Sequence, residues 1–177
     1  EGYTLLAAGE MGIGNTTTTS AVAAVLLGRR AEEVTGKGAG LTNQGLARKI
    51  AVIDHAIALH RPDPADPVDV LAMAGFYLGC ARCRVPAIMD GFISTVAALA
   101  AVRLCPAARD VLIASHLSAE PGAGYVMEEL GFTPLFRLGM ALGEGTGAVS
   151  AMPLIDMALR VYFDMPSFDG IGIEAYK

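Results

Sequence analysis

Length, composition and charge set the first limits on this chain. With 177 residues, 53% hydrophobic residues, only 6% aromatic residues, no tryptophan and 21 glycines, it can form one compact domain with a core of small aliphatic side chains. A net charge of −5, with 13 scattered basic residues, argues against a nucleic-acid-binding surface. The composition favours an α/β fold, and no nucleic acid is expected as a partner.

The mean hydropathy of +0.48 raises the question of a membrane span. The best candidate, residues 91–104, is too short to cross a bilayer and contains Ser94, Thr95 and Arg103. A better explanation is an apolar face that another part of the protein, or a second subunit, covers. There is no signal-peptide pattern, and the three cysteines cannot all pair, so the expected location is cytoplasmic.

The chain opens with a predicted strand, a glycine turn and a helix. Residues 3–8 are strand-like, residues 9–15 (Gly-Glu-Met-Gly-Ile-Gly-Asn) form the turn, and residues 16–27 favour a helix. A chain that begins on such a strand suggests that further sequence precedes it. Backbone N–H groups and the helix dipole can face an anion at this turn, although a tight packing turn is equally well supported. Glu10 favours contacts to sugar hydroxyls, because a carboxylate repels phosphate.

A glycine-rich linker, residues 35–45, contains Lys37 and leads into an amphipathic helix. The apolar positions of this helix keep helical spacing: Leu46, Ile50, Ile53 and Ile57. Lys49 lies at the start of the helix. Either lysine could bind a phosphate, but a solvated surface lysine is the simpler interpretation of each one alone. The helix is expected to end before residues 61–67, whose three prolines predict an irregular surface connection.

Two short apolar runs, residues 85–89 and 111–114, predict buried parallel strands that each end in polar residues. Strands that alternate with helices indicate βαβ units. The predicted fold is therefore α/β, with a Rossmann-like, mostly parallel sheet and helices on both faces, in a single domain over residues 1–177. Ligands of such sheets bind beyond the carboxyl ends of the strands.

Three further motifs carry polar side chains. Residues 142–147 (Leu-Gly-Glu-Gly-Thr-Gly) precede a predicted helix over residues 148–163. The flanking glycines would let a ligand approach Glu144 closely. A glutamate that supports a helix cap is nevertheless the simpler interpretation of this motif alone. Residues 115–120 (Ser-His-Leu-Ser-Ala-Glu) favour a hydrogen-bonding loop at the sheet edge over a catalytic triad. Cys80 and Cys83 lack companion ligands for zinc, so buried or half-buried thiols and no metal are expected.

Three of these segments together resemble the nicotinate-nucleotide:dimethylbenzimidazole phosphoribosyltransferase family: residues 9–17, residues 115–120 and residues 137–148. Residues 85–94, with a Met-Asp-Gly-Phe core, are similar to the family as well, so the resemblance covers essentially the whole chain. Family members are about twice this length, which implies that the chain is a C-terminal half. The family also has a few additional residues near positions 71–73, which implies either a deletion or an absent loop there.

The resemblance implies transfer of the 5-phosphoribosyl group from nicotinate mononucleotide to 5,6-dimethylbenzimidazole, giving α-ribazole 5′-phosphate and nicotinate for the lower ligand of cobalamin. A homodimer without a cofactor is implied. Glu144 would be the catalytic base, while Gly12, Gly38 and Lys49 would hold the phosphate, and Glu10 and Ser118 would lie close to the ribose and nicotinate. The other implied substrate-binding residues are Gly14, Asn15, Asp90, Leu142 and Gly143.

Two alternatives stay open at this point. A transferase of the same fold could act on another aromatic base, because part of the acceptor pocket belongs to the half that this chain lacks. A non-catalytic domain could instead bind nicotinate nucleotide or an azole riboside, although such a domain has no need of a base at Glu144.

Overall fold

The computed structural model of the chain describes residues 2–63, 71–172 and 174. These residues form three strands, β1 (Leu6–Ala8), β2 (Ala87–Met89) and β3 (Leu112–Ala114). The helices are α1 (Thr16–Leu27), α2 (Ala31–Val34), α3 (Asn43–His60), α4 (Leu71–Cys83), α5 (Phe92–Leu104), α6 (Ala123–Leu130) and α7 (Thr146–Asp164). Two short 3₁₀ helices, Pro106–Val111 and Asp169–Ile171, complete the described elements.

The three strands form one parallel sheet in the order β1-β2-β3. Each strand has three residues, so the strands predicted over residues 3–8, 85–89 and 111–114 are longer than those in the structure. Pro86 gives one reason: it accepts a hydrogen bond from the Leu6 N–H, but it has no N–H with which to extend the ladder. The α/β class and the parallel sheet are confirmed.

Helices cover both faces of the sheet, as predicted. Side chains alternate along each strand, so Ala87 and Met89 join the main core with residues of α1, α4, α5 and α6, whereas Ile88 packs on the opposite face against Ala148 and Ala151 of α7. The main core is built from small side chains. This arrangement leaves the carboxyl ends of all three strands at one edge.

The apolar stretch over residues 91–104 is a core helix. Residues 96–101 of α5 are buried completely or almost completely, which accounts for part of the high hydropathy. Within the described residues, no helix is both long enough and apolar enough to span a bilayer. The remaining apolar residues include an exposed set on α7: Val149, Met152, Leu154, Met157, Leu159, Val161, Tyr162 and Phe163.

The region between α1 and α4 differs from the sequence prediction at several points. Helix α2 precedes the predicted linker, and α3 begins at Asn43 rather than after residue 45. The Thr42 hydroxyl accepts a hydrogen bond from the Gly45 N–H at 3.1 Å and caps α3 there. Helix α4 begins at Leu71, and residues 64–70, which include most of the proline-rich connection, lie outside the described residues. The deletion or absent loop expected near positions 71–73 stays a prediction.

The thiols of the C-x-x-C motif lie in different environments. Cys80 is buried on α4, as predicted, but Cys83 is exposed, so the prediction for the second thiol was wrong. Burial raises the pKa of Cys80. In the part of the chain that the structure describes, no cluster of three or more His, Cys, Asp or Glu residues is suited to a metal ion.

Candidate active site

A cleft opens where the strands end, and six of the predicted site residues line it: Glu10, Gly12, Asp90, Ser118, Leu142 and Gly143. The loops after β1, β2 and β3 supply the first four, and the loop before α7 supplies the last two. The parallel sheet explains this convergence, because the carboxyl ends of parallel strands meet at one edge. Sequence positions more than 130 residues apart, such as 10 and 142, therefore line the same cleft.

The glycine loop after β1 and the glycine loop before α7 contact each other through their backbones. The Glu144 N–H donates to the Glu10 carbonyl at 2.9 Å. A Cβ atom on Gly9 would lie 2.1 Å from the Gly145 nitrogen, so this contact requires glycine at position 9. The Glu10 carboxylate accepts a hydrogen bond from the Gly12 N–H inside its own loop.

Glu144 has a left-handed backbone with φ of 57°, between Gly143 at 77° and Gly145 at 81°. This conformation is unfavourable for a residue with a Cβ atom, so the surrounding contacts must hold it. The Glu144 side chain is exposed and does not line the cleft, although Gly143 beside it does.

Asp90 is a buried carboxylate at the end of β2, with an exposed fraction of 1%. One carboxylate oxygen accepts from the Gly145 N–H at 2.9 Å, and the other accepts from the N–H groups of Gly147 and Ala148 at 2.7 Å and 3.1 Å. These N–H groups lie at the start of α7, where the helix itself offers them no hydrogen-bond acceptor. Asp90 lines the cleft and also caps α7.

His116 lies beside this cap and is 2% exposed. Its ring stacks on Phe136 with centroids 6.1 Å apart, and Nδ1 is 3.1 Å from the Ser115 hydroxyl. Burial lowers the pKa of His116, and the negative charge of Asp90 partly opposes that shift. Ser115 is fully buried and its hydroxyl donates to the Met89 carbonyl, so these residues form a hydrogen-bonding loop, as predicted, and not a nucleophilic triad.

The Lys49 ammonium is buried, with an exposed fraction of 7%, so the interpretation as a solvated surface lysine was wrong. Its Nζ donates to the Thr16 hydroxyl and to the Gly36 carbonyl, both at 3.0 Å. Burial lowers its pKa, and the charge of Glu120 opposes the shift. A Cβ on Gly38 would lie 2.9 Å from the Thr16 hydroxyl and 3.7 Å from Nζ. Because Thr16 lines the cleft, Gly38 and Lys49 adjoin it; Lys37 is exposed.

The structure indicates no specific role for two of the predicted site residues, Gly14 and Asn15. Gly14 is exposed with φ of 83°. Asn15 precedes α1, and its carbonyl accepts from the Thr19 N–H at 3.0 Å. The side-chain oxygen of Asn15 is buried and has no hydrogen-bond partner among the described residues. Neither residue is part of the cleft lining.

Comparison with known proteins identifies the family. A family model described as "Phosphoribosyltransferase" matches residues 1–173. The chain is 49% identical over 186 residues to the nicotinate-nucleotide–dimethylbenzimidazole phosphoribosyltransferase of Acetivibrio thermocellus, covering 100% of this chain and 53% of that protein. The protein of the same name from Roseiflexus sp. is 52% identical over 182 residues, covering 98% and 52%. The chain belongs to the nicotinate-nucleotide–dimethylbenzimidazole phosphoribosyltransferase family.

Solved structures of this phosphoribosyltransferase family have the same fold. The crystal structure of CobT from Thermus thermophilus matches with a TM-score of 0.90 and 43% identity over 99% of this chain and 55% of that chain. A second structure, described as the nicotinate-nucleotide–dimethylbenzimidazole phosphoribosyltransferase of the same organism, matches with a TM-score of 0.86, covering 99% and 54%. The Rossmann-like α/β fold is thereby confirmed. The chain spans about half the length of the curated relatives it matches.

Several residues of this chain that line the cleft were not among the predicted site residues: Thr16, Phe92, Ser94, His116, Glu120 and Met140. Thr16 could have been found as the first residue after the glycine turn, and His116 and Glu120 lie in a motif that was recognised but assigned only a local role. The sequence alone gives no comparable signal for Met140, because its position depends on how a long loop folds against residues 118–120; the Ala119 N–H donates to the Met140 carbonyl at 3.2 Å.

Proposed function

We propose that the whole protein transfers the 5-phosphoribosyl group of nicotinate mononucleotide to 5,6-dimethylbenzimidazole, giving α-ribazole 5′-phosphate and nicotinate in the synthesis of the lower ligand of cobalamin. The observation that carries this proposal is the convergence of the Glu10 and Glu144 loops at one cleft, in a chain about half identical to relatives with that enzyme name. The cleft lies where ligands of parallel α/β sheets bind.

The proposed reaction needs one base and no acid. The bond between C1′ of the ribose and the pyridinium nitrogen breaks, and its electron pair neutralises the positive charge of the leaving nicotinate ring. A new bond forms between C1′ and one imidazole nitrogen, with inversion at C1′. The proton on the other imidazole nitrogen must then be removed, and Glu144 accepts it. The other residues of the cleft position the two substrates and stabilise the charge that develops on the ribose.

The phosphate of the substrate is proposed to bind near the start of α1. Gly12 lines the cleft together with Thr16, Gly38 lies beside the Thr16 hydroxyl, and the buried Lys49 supplies positive charge next to it. The N-terminus of α1 adds the positive end of its dipole. Glu10 and Ser118, which line the same cleft, are proposed to contact the ribose and nicotinate.

Of the remaining residues predicted to contact substrate, some line the cleft and others do not. Leu142 and Gly143 line the cleft and are proposed to contact the acceptor base. Gly14 and Asn15 lie outside its lining, so their roles rest on the family resemblance alone. The expectation that this chain is the C-terminal half of the protein also stays a prediction, as does its cytoplasmic location.

The test of the base is the substitution Glu144→Gln, which keeps the shape of the side chain but removes its basicity. In the whole protein, we expect kcat to fall roughly 100- to 10,000-fold, the usual contribution of a general base, with a nearly unchanged KM for nicotinate mononucleotide. Release of nicotinate is measured by chromatography. Glu128→Gln, at an exposed position on α6, is the control and should keep full activity.

Three results would contradict the base assignment or the proposed function. Unchanged turnover in Glu144→Gln would show that Glu144 is not the base. Binding of nicotinate mononucleotide by the whole wild-type protein without any product would favour the non-catalytic nucleotide-binding domain. Turnover with another azole but none with dimethylbenzimidazole would instead favour a transferase for a different aromatic base.

We also propose that the protein is a homodimer, in which a second copy covers the exposed face of α7. The support is the number of large apolar side chains that α7 exposes, among them Met157 at 54%, Val161 at 57% and Phe163 at 73%. Exposed apolar surfaces of this kind usually mark an interface. Charged side chains on the same helix are few, with Asp156 and Arg160 paired to each other at 3.1 Å.

A further inference from the structure

A buried negative charge lies directly behind the loop that carries Glu144. Asp90 is 1% exposed, and none of the ion pairs in the described part of the chain involves it. Its charge is faced instead by the N–H groups of Gly145, Gly147 and Ala148. A buried carboxylate is costly unless it is compensated in this way, so the placement of Asp90 depends on the start of α7.

The two oxygens of Asp90 hold different parts of the structure. Oδ1 accepts from Gly147 and Ala148 in the first turn of α7, whereas Oδ2 accepts from Gly145, the residue directly after Glu144. The Glu144 N–H itself donates to the Glu10 carbonyl. The backbone of Glu144 is therefore held on both sides, by Glu10 through its own N–H and by Asp90 through the next one.

The loop needs these contacts because three consecutive residues, Gly143, Glu144 and Gly145, have positive φ values. A left-handed conformation at a residue with a Cβ atom persists only where the surroundings impose it. Glu144 lies at the centre of this loop, and the direction of its side chain follows from its backbone conformation. A change in the Gly145 hydrogen bond would therefore redirect the Glu144 carboxylate.

Asp90 is itself firmly held from the core. Its N–H donates to the Ser94 hydroxyl at 2.8 Å, and that hydroxyl shares a hydrogen bond of 2.6 Å with the hydroxyl of the buried Tyr77. On the other side, a Cβ on Gly147 would lie 2.8 Å from Oδ1, so glycine there permits the carboxylate to approach. The packing thus fixes Asp90 from β2, from α5 and from α7.

We propose that Asp90 is a positioning residue, which holds Glu144 in the orientation that accepts a proton from the acceptor base. The role rests on the function proposed for Glu144. It differs from a substrate contact, because both oxygens of Asp90 are engaged by backbone N–H groups. Loss of one of these acceptors affects the proton-transfer step and leaves the binding of the mononucleotide intact.

The direct test is the substitution Asp90→Asn, which keeps the size of the side chain but turns one acceptor into an NH₂ group. We expect the amide oxygen to face Gly147 and Ala148, where two donors converge, so that the Gly145 N–H loses its partner. In the nuclear magnetic resonance spectrum, the Gly145 amide proton should move upfield. Unchanged amide resonances of Gly145, Gly147 and Ala148 would overturn the proposal.

The kinetic test separates positioning from substrate binding. In the whole protein, Asp90→Asn should lower kcat about 100-fold, the loss typical of a displacement near 1 Å, and leave the KM for nicotinate mononucleotide within about twofold. A raised KM with an unchanged kcat would indicate a substrate contact and would overturn the proposal. Ser94→Ala, which removes the acceptor of the Asp90 N–H, should lower kcat in the same direction if Asp90→Asn does not fold.

The control is Arg109→Ala, which removes side-chain hydrogen bonds to the carbonyls of Leu130 and Gly131 at the end of α6, both 2.8 Å long. It should lower the melting temperature but preserve kcat, since a purely structural loss leaves Glu144 in place. An equal loss of kcat in this variant would count against positioning by Asp90. If the wild-type protein releases no nicotinate, the proposed function fails, and the Gly145 amide shift still decides whether Asp90 holds the loop.

Discussion

Burial of His116 makes the stability of this fold depend on pH. The ring is packed against Phe136 and close to Asp90, and burial lowers its pKa. The unfolded chain therefore binds a proton on His116 at a higher pH than the folded chain does. The stabilising contribution of the neutral ring is therefore complete at pH values above the ordinary histidine pKa range, and the free energy of unfolding decreases as the pH falls through that range.

We expect the melting temperature of the wild-type chain to decrease more steeply between about pH 7.5 and about pH 5.5 than that of His116→Gln, which cannot titrate. Scanning calorimetry across this range measures the difference. His55→Gln is the matched control, because His55 is exposed on α3 and its removal should leave the pH dependence as in the wild type. Parallel curves for the wild type and His116→Gln would contradict the assignment.

At the scale of the elements, helix starts are decided by single side chains. Helix α3 begins two residues earlier than the end of the predicted linker, because Thr42 has extended backbone angles and its hydroxyl accepts from the Gly45 N–H. The same helix carries Lys49 to its contacts with Thr16 and Gly36.

Thr42→Ala should lower the free energy of unfolding by about 1 kcal/mol, the typical value of a lost helix cap, as measured by urea denaturation. Thr42→Ser retains a hydroxyl and should stay close to the wild type. If both variants lost the same stability, the effect would come from the methyl group of threonine rather than from the cap.

The sequence predicts those parts of the fold that depend on interactions between neighbouring residues, but not the contacts between residues far apart in the chain. The strand, turn and helix over residues 3–27 and the helix over residues 148–163 were predicted from local patterns. They are present as β1, α1 and α7, although β1 is shorter than predicted and α7 begins earlier, at Thr146. The six predicted residues that line one cleft were implied by the family resemblance and not by these local patterns. The hydrogen bond of Asp90 to Gly145 joins positions 55 residues apart, and no local pattern indicates it. Burial of Lys49 depends likewise on three separate elements.

At the scale of the whole molecule, the exposed apolar face of α7 is the most unusual feature. A helix of 19 residues packs on the sheet mainly through its first turns, where Gly147, Ala148 and Ala151 are buried. Its later turns expose Leu159, Val161, Tyr162 and Phe163. Exposure of this much apolar surface to water is unfavourable, and its burial against another polypeptide would stabilise the protein.

If a second copy covers this face, sedimentation velocity should give a dimer, and the double substitution Met157→Glu with Phe163→Glu should shift it to monomer. The reason is that two charges would be buried without partners at the interface. Leu59→Glu is the control, because Leu59 is 65% exposed on α3 and lies on a different helix. A monomer at all concentrations, or equal dissociation by Leu59→Glu, would contradict the homodimer.

The contact between Gly9 and Gly145 bears on how sequence variation in this family should be interpreted. Backbone atoms of position 145 occupy the space that any Cβ on position 9 would need. Even an alanine at position 9 would force α7 to shift, whether or not any substrate is bound. A screen for folded variants would therefore retain glycine at position 9 without selection for catalysis. Glycine at position 9 is required by the contact between residues 9 and 145, and by itself it carries no information about what the cleft binds.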